Sequence, residues 1–201
     1  MSETTPLPER IRPRDLSEII GQDHLLGEHA PLRQMIDQGH LPSIIFWGPP
    51  GVGKTTIALL LAQAVDRPFI SLSALNTGVK ELREIIAESG DLIVPVVFID
   101  EIHRFNKSQQ DALLSAVEKG KITLVGATTE NPSFEVNSAL LSRCQVYTLN
   151  ALDQQAIQDL LQRALKQDQF LKQRQIRIDE YEALIQSSAG DARKALNLLD
   201  L

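Results

Sequence analysis

The sequence predicts an α/β chain, with a five-stranded parallel sheet covered by helices on both faces and a small all-helical unit after it. Three observations carry this reading. Short apolar runs (SIIFW at 43–47, PVVFI at 95–99, ITLVGA at 122–127) alternate with stretches whose apolar residues recur at helical spacing. The runs are continuous rather than alternating with polar residues, as in strands buried on both faces. After residue 150 the strand-like runs stop and only helical spacing remains.

Residues 1–14 carry Pro6, Pro8 and Pro13 among several charges and read as an arm, ordered at its end if at all. Residues 15–20 suggest a short helical turn stopped at Gly21. Residues 31–38 suggest a helix with Pro31 in its first turn and Gly39 as its stop. Strand 43–47 runs into a glycine-rich loop, and helix 54–65 follows with Ile57, Leu60, Leu61 and Ala64 at helical spacing. Strand 68–72, helix 79–88 with Leu82, Ile85 and Ile86 on one face, strand 95–99 and helix 107–118 with Leu113, Leu114 and Val117 continue the alternation. Strand 122–127, a short helix at 138–141 and strand 145–149 complete the sheet.

Helices are then expected at 153–168, 179–188 and from 191 onward. The stretch 166–177 between them is polar, with Lys166, Lys172, Arg174 and Arg177. The resulting division is an arm (1–14), a sheet domain (15–150) and a helical lid (151–201). Leu196, Leu198, Leu199 and Leu201 keep the last helix apolar where the sequence stops, so the lid is expected to continue further.

Composition excludes several classes. With 201 residues and 43% hydrophobic content, the chain can bury a substantial core. A net charge of −6 is wrong for a protein that coats nucleic acid along its whole surface, so any such contact must use a local patch. Aromatics at 4% argue against a base-stacking surface, and Trp47 reads as sheet core. One cysteine, Cys144, rules out a disulfide within the chain and a zinc site built on several cysteines. It reads as a small half-buried residue rather than a reactive thiol. His103 has no second histidine or cysteine at ligand spacing and reads as an ordinary residue rather than a metal ligand. The polar N-terminus is not a secretory signal and no apolar run is long enough to cross a bilayer, so a cytoplasmic protein with no membrane partner is expected.

The chemistry concentrates in a few motifs. Gly48-Pro49-Pro50-Gly51-Val52-Gly53-Lys54-Thr55 fits G-x-x-x-x-G-K-[ST] between a strand and a helix, with Thr56 next in the helix's first turn. Such a loop turns backbone N–H groups toward phosphate oxygens, and the helix that starts there presents its positive end. Lys54 would reach the β- and γ-phosphates of ATP, and the Thr55 hydroxyl would ligate Mg²⁺. Strand 95–99 ends in Asp100 and Glu101, at the edge where ligands bind in open α/β sheets. Asp100 would hold Mg²⁺ through water, and Glu101 would orient the attacking water. At the end of the next strand Thr129 could hold that water, with Asn131 in reserve. Arg143 follows the short helix at 138–141 and could meet developing charge in a neighbouring subunit. Asp191 is a good N-cap for the last helix, while Arg193 in its first turn gains nothing from the dipole and instead suits a phosphate.

The order of these motifs resembles the AAA+ superfamily over nearly the whole chain. By that resemblance 48–55 is Walker A, 96–101 Walker B, Thr129 sensor 1, Arg143 an arginine finger and Arg193 sensor 2. The stretch around Ile20 lies where such proteins contact adenine, and Ser73 lies near a position that restrains the Walker B glutamate. Asp-Glu-Ile-His at 100–103 is also similar to RuvB. Longer strings, RIRPRDLSEIIGQDHLLG (10–27), HRFNKSQQDALL (103–114) and GATTENPSFEVNSALLSR (126–143), resemble the RarA/MgsA family, whose animal relative is the Werner-helicase-interacting protein. That resemblance implies a DNA-stimulated, Mg²⁺-dependent ATPase acting at stalled replication forks and in recombination and repair. It further implies a homo-oligomer, a bacterial nucleoid setting, single-stranded or fork-like DNA, and partners such as single-stranded-DNA-binding protein. A branch-migration motor of the RuvB type and an inert, clamp-loader-like ATP-binding scaffold are the competing readings. For DNA, the helices after the second and third strands supply Lys80, Arg83 and Lys107, with ordinary solvated surface as the alternative.

Overall fold

The computed structural model describes residues 3–74, 78–88, 93–174 and 176–200. Leu201, counted above with the apolar residues of the last helix, lies outside them. Strands β1 (Ile44–Trp47), β2 (Phe69–Ser73), β3 (Val96–Asp100), β4 (Thr123–Thr128) and β5 (Gln145–Thr148) form one sheet in the order β2-β3-β4-β1-β5. Every pairing is parallel. β3 and β4 sit inside the sheet, and Val96–Ile99 and all of β4 are buried, which is why their sequences are continuous apolar runs.

Alternate residues of each strand feed the two faces. Ile44, Phe46, Val96, Phe98, Val125 and Ala127 pack on one side against α3 (Pro31–Asp37) and α4 (Lys54–Ala64). Ile45, Val97, Ile99 and Leu124 pack on the other against α5 (Val79–Glu88), α6 (Lys107–Glu118) and α8 (Ser138–Leu141). Asn106 starts α6 with a reciprocal capping box to Gln109. The short α2 (Asp23–Leu26) and α7 (Pro132–Glu135), the latter capped by Asn131, lie in stretches where no element is expected from sequence.

Beyond β5 come α9 (Gln154–Gln167), α10 (Gln169–Arg174), α11 (Glu182–Ser188) and α12 (Ala192–Leu199). Asp168 ends α9 and accepts the backbone N–H groups of Phe170 and Leu171 at the start of α10. The polar stretch at 166–177 is therefore partly helical, with Leu171 buried.

The reading of 1–14 as a loose arm is corrected by α1 (Leu7–Arg10). Leu7 and Ile11 are buried with Ala164, Leu171 and Leu196 of the helical unit. The Arg10 side chain is only 4% exposed and forms ion pairs with Asp168 at 2.7 Å and Asp200 at 2.9 Å. Two apolar side chains and one arginine paired to two carboxylates anchor a segment whose own composition is that of a coil.

Candidate nucleotide-binding site

β1 delivers the chain to the loop at 48–53, and the loop ends at the first turn of α4. Gly51 (φ 71°) and Gly53 (φ 97°) adopt left-handed backbone that a side chain would resist. Gly53 is also the N-cap of α4 and offers no side chain to its N–H groups. An eleven-residue helix thus presents uncapped donors, which fits an anion. Lys54 is buried, and its Nζ donates to the carbonyls of Gly48 at 2.7 Å and Pro49 at 2.8 Å. Burial lowers the pKa of Lys54; Glu101, Asp100 and Asp191 oppose that shift, and Arg193 adds to it. The loop, the end of β3 and the start of α12 therefore share one electrostatic neighbourhood.

β3 ends with Asp100 half-buried and opposite Ser73 in the strand register. Glu101 then turns out of the strand at φ 55°, ψ 48°, a left-handed conformation unusual for a side chain of this size. A cavity of about 230 Å³ opens between these carboxylates and the loop. Pro50, Gly51, Val52, Gly53, Lys54, Thr55, Thr56, Asp100, Glu101, Ile20 and Arg193 all line it. Gly48 and Pro49 lie behind it, holding the lysine.

The other site candidates are placed differently. Thr129 follows the end of β4, half-buried, and does not line the cavity. Asn131 is engaged as a cap, accepting from Ser133 N–H at 3.0 Å. Arg143 is exposed and outside the cavity, paired with Glu118 at 2.5 Å and donating to the Ala139 carbonyl at 2.8 Å. Lys80 pairs loosely with Glu84 at 3.7 Å on the surface of α5. Arg83 instead faces a groove between α5 and α6 that also holds Lys119 and Lys121, while Lys107 starts α6. Lys80, Arg83 and Lys107 do not share a groove among the described residues.

Ile19, in the stretch expected at the adenine, lines the cavity, but sequence reasoning missed its other walls: Leu152, Leu160 and Leu196 supply apolar surface, and Arg12 and Arg163 add cations. Arg163 of α9 pairs with Glu18 at 2.7 Å and so ties the helical unit to the segment before the sheet. The Glu18 carboxyl sits below its usual pKa. The backbone N–H of Arg14 is the main cause, burial opposes it, and Arg163 assists. None of these residues belongs to a local motif; they meet only because the segment 8–20 and the helices after 150 close over the loop.

The helical unit touches the loop directly. Ala192 N–H donates to the Gly51 carbonyl at 3.1 Å. Asp191 caps α12 through Lys194 N–H at 2.9 Å, and its carboxylate occupies the space that a Cβ at Gly51 would need.

Residues 44–152 match the family model for the ATPase family associated with various cellular activities (AAA). A replication-associated recombination protein A from Coxiella burnetii is 47% identical over 98% of this chain and 46% of its own length. The ATPase WRNIP1 of Dictyostelium discoideum is 44% identical over 98% of this chain and 23% of its own length. The chain thus spans less than half the length of these relatives. Among solved structures, the Thermotoga maritima RuvB Holliday junction branch migration motor superposes with a TM-score of 0.75 at 30% identity, covering 93% of this chain and 63% of that one. The chain belongs to the AAA family of ATPases, and its relatives there include replication-associated recombination protein A and WRNIP1.

Proposed function

We propose that this chain is the ATP-binding and hydrolysing part of a DNA-stimulated AAA+ ATPase that maintains replication forks and serves recombination and repair as a homo-oligomer. The observation that carries the reading is the convergence of Lys54, Asp100, Glu101 and Arg193 on one cavity at the carboxyl edge of a parallel sheet. The donor set fits ATP with Mg²⁺, since an uncapped helix start, the cations Lys54 and Arg193 and the carboxylates of Asp100 and Glu101 are among the groups that face one space. When bound, Mg²⁺ neutralises charge on the β- and γ-phosphate oxygens, and Thr55 and Asp100 are the residues that would hold it.

Lys54 exchanges its two loop carbonyls for phosphate oxygens. Ile20 and the neighbouring apolar wall enclose the base. Glu101 orients a water toward the γ-phosphate, with Thr129 helping to fix it. The helices from residue 151 act as a lid that brings Arg193 over the phosphates. Arg143, outside its own cavity, serves the site of the adjacent subunit, and DNA meets the face carrying Lys80, Arg83 and Lys107.

The test is steady-state ATP turnover by the full-length protein, with and without single-stranded DNA ends. Arg143→Ala and Glu101→Gln subunits should each be inactive alone. Mixed, they should recover activity, because some interfaces then hold an intact Glu101 and an intact Arg143. Mixtures as inactive as either variant would refute the trans assignment, and turnover indifferent to DNA would refute the stimulation.

A further inference from the structure

His103 has no place in the chemistry above, yet it is one of the better-connected side chains at the end of β3. The left-handed turn at Glu101 leads into a single 3-10 turn, Ile102–Arg104, which folds the chain back on itself. That turn brings the His103 ring, 12% exposed, between the Glu101 carboxylate and the end of β4. Its Nδ1 lies 2.9 Å from the Thr128 Oγ1 and 3.3 Å from the Glu101 Oε2.

We propose that His103 is a positioning residue for Glu101, holding the carboxylate through Nδ1–H while anchored on Thr128. The inference rests on Glu101 being the group that orients the attacking water.

The proposal assigns the ring proton to Nδ1, on the neighbours that nitrogen has. Thr128 is fully buried, so its hydroxyl must be satisfied within the protein. It donates to the Glu130 carbonyl at 3.2 Å and accepts from Glu130 N–H at 3.0 Å. With the hydroxyl proton directed to Glu130, the remaining lone pair faces His103, and a proton on Nδ1 is the arrangement that suits both this oxygen and a carboxylate 3.3 Å away. An ionised carboxylate only accepts, so the same Nδ1–H is the group that can hold Glu101. Nδ1 thus stands between a buried anchor, Thr128, and a carboxylate on a left-handed turn. Thr128 is the last residue of β4 and directly precedes Thr129, so the ring links the ends of two adjacent inner strands, β3 and β4.

A purely structural histidine would also stabilise the 3-10 turn, so the test separates turnover from folding. In the full-length protein, His103→Leu should lower kcat by about 10–100-fold, in the range of misplaced catalytic groups. ATP affinity should stay within about twofold and the melting temperature within a few degrees. His103→Asn keeps an N–H at nearly the Nδ1 position and should recover most of the rate. Thr128→Val, which removes the anchor with little change of shape, should reproduce part of the loss. Combined with Glu101→Gln, His103→Leu should cost little more, because the two act as a unit. Wild-type turnover in His103→Leu, or an equal further loss on top of Glu101→Gln, overturns the proposal. A measurement independent of turnover is the ¹⁵N NMR spectrum of the imidazole at pH 8.5. The Nδ1–H tautomer is expected, and the Nε2–H tautomer overturns the proposal even if Glu101 proves to have another role. Turnover that survives Glu101→Gln would instead refute the role given to Glu101, on which the proposal rests.

Discussion

Arg10 and Lys54 are both cations with buried side chains, and their surroundings differ in one respect. Arg10 is satisfied from every side: Asp168 at 2.7 Å, Asp200 at 2.9 Å, the Thr5 carbonyl at 2.6 Å and the face of Phe170 at 5.4 Å. Asp168 spends its remaining lone pairs on Phe170 and Leu171 N–H. Among the described residues, Lys54 has two loop carbonyls within hydrogen-bonding distance, and Asp100, Glu101, Asp191 and Arg193 act on it through the field rather than by contact. The first cluster is closed on itself and fixes the fold. The second is held open by backbone geometry, so its charges remain available to a ligand. A buried charge therefore says little until its partners are counted.

The comparison is broken most severely at Lys54. Lys54→Met should weaken ATP binding by roughly 10²–10⁴-fold, the loss of two charge-assisted bonds to phosphate. Its melting temperature should move by less than about 3 °C, because the ammonium is already penalised by burial. Calorimetry and thermal denaturation on the same sample check both halves.

Arg10→Ala should show the reverse. It strands Asp168 without its partner, which costs about 3–5 kcal/mol and should lower the melting temperature by roughly 10 °C. The double change Arg10→Met with Asp168→Asn should recover part of that loss, since the asparagine oxygen can still accept Phe170 and Leu171 N–H while no unpaired charge is left at residue 168.

Acid should separate the clusters more gently. Asp168 is raised by burial, but Arg10 and the Leu171 N–H outweigh that and leave its pKa below the usual carboxylate range; Glu18 is lowered as well. Both groups are depressed on folding. Their stabilisation is present above the unfolded values of about 4 and is lost as the pH falls through the lower folded values. Amide exchange should therefore show α1 and the Glu18–Arg163 contact loosening below about pH 4, ahead of β3 and β4.

The smallest effect is expected at Cys144. Burial pushes its thiol up to about 12, so alkylation near neutral pH should be about a thousandfold slower than for a free cysteine. Rapid labelling would mean that the face of α8 opens in solution.

The inner strands were legible because they are buried on both faces and so are written as unbroken apolar runs, as in Val96–Ile99. Helices α5, α6 and α8 were legible to the residue, since their stripes or caps lie within the element. Lys54, Asp100 and Glu101 were legible because neighbours in sequence are neighbours in space there. Leu7–Arg10 was not, since its partners Asp168 and Asp200 lie 158 and 190 residues from Arg10. The same separation hid Arg163, whose partner Glu18 is 145 residues away. The contact of His103 with Thr128 was hidden by a subtler cause. Its residues lie only 25 apart, but the pairing depends on a left-handed backbone at a glutamate, which no propensity would suggest.

Gly51 sets a mechanical tolerance. Between the loop and α12 there is less clearance than one methyl group, and a single backbone hydrogen bond, Ala192 N–H to the Gly51 carbonyl, spans the gap. Any rotation of α12 away from the loop must break that bond, and any tightening of the loop at residue 51 must pull on the first turn of α12, where Arg193 sits. One exchangeable bond of this kind is worth on the order of 1 kcal/mol, about a fivefold bias in an equilibrium. A joint of that strength transmits position without locking it. A methyl at residue 51 would act as a shim, prising the helical unit off the loop while leaving the sheet beneath undisturbed.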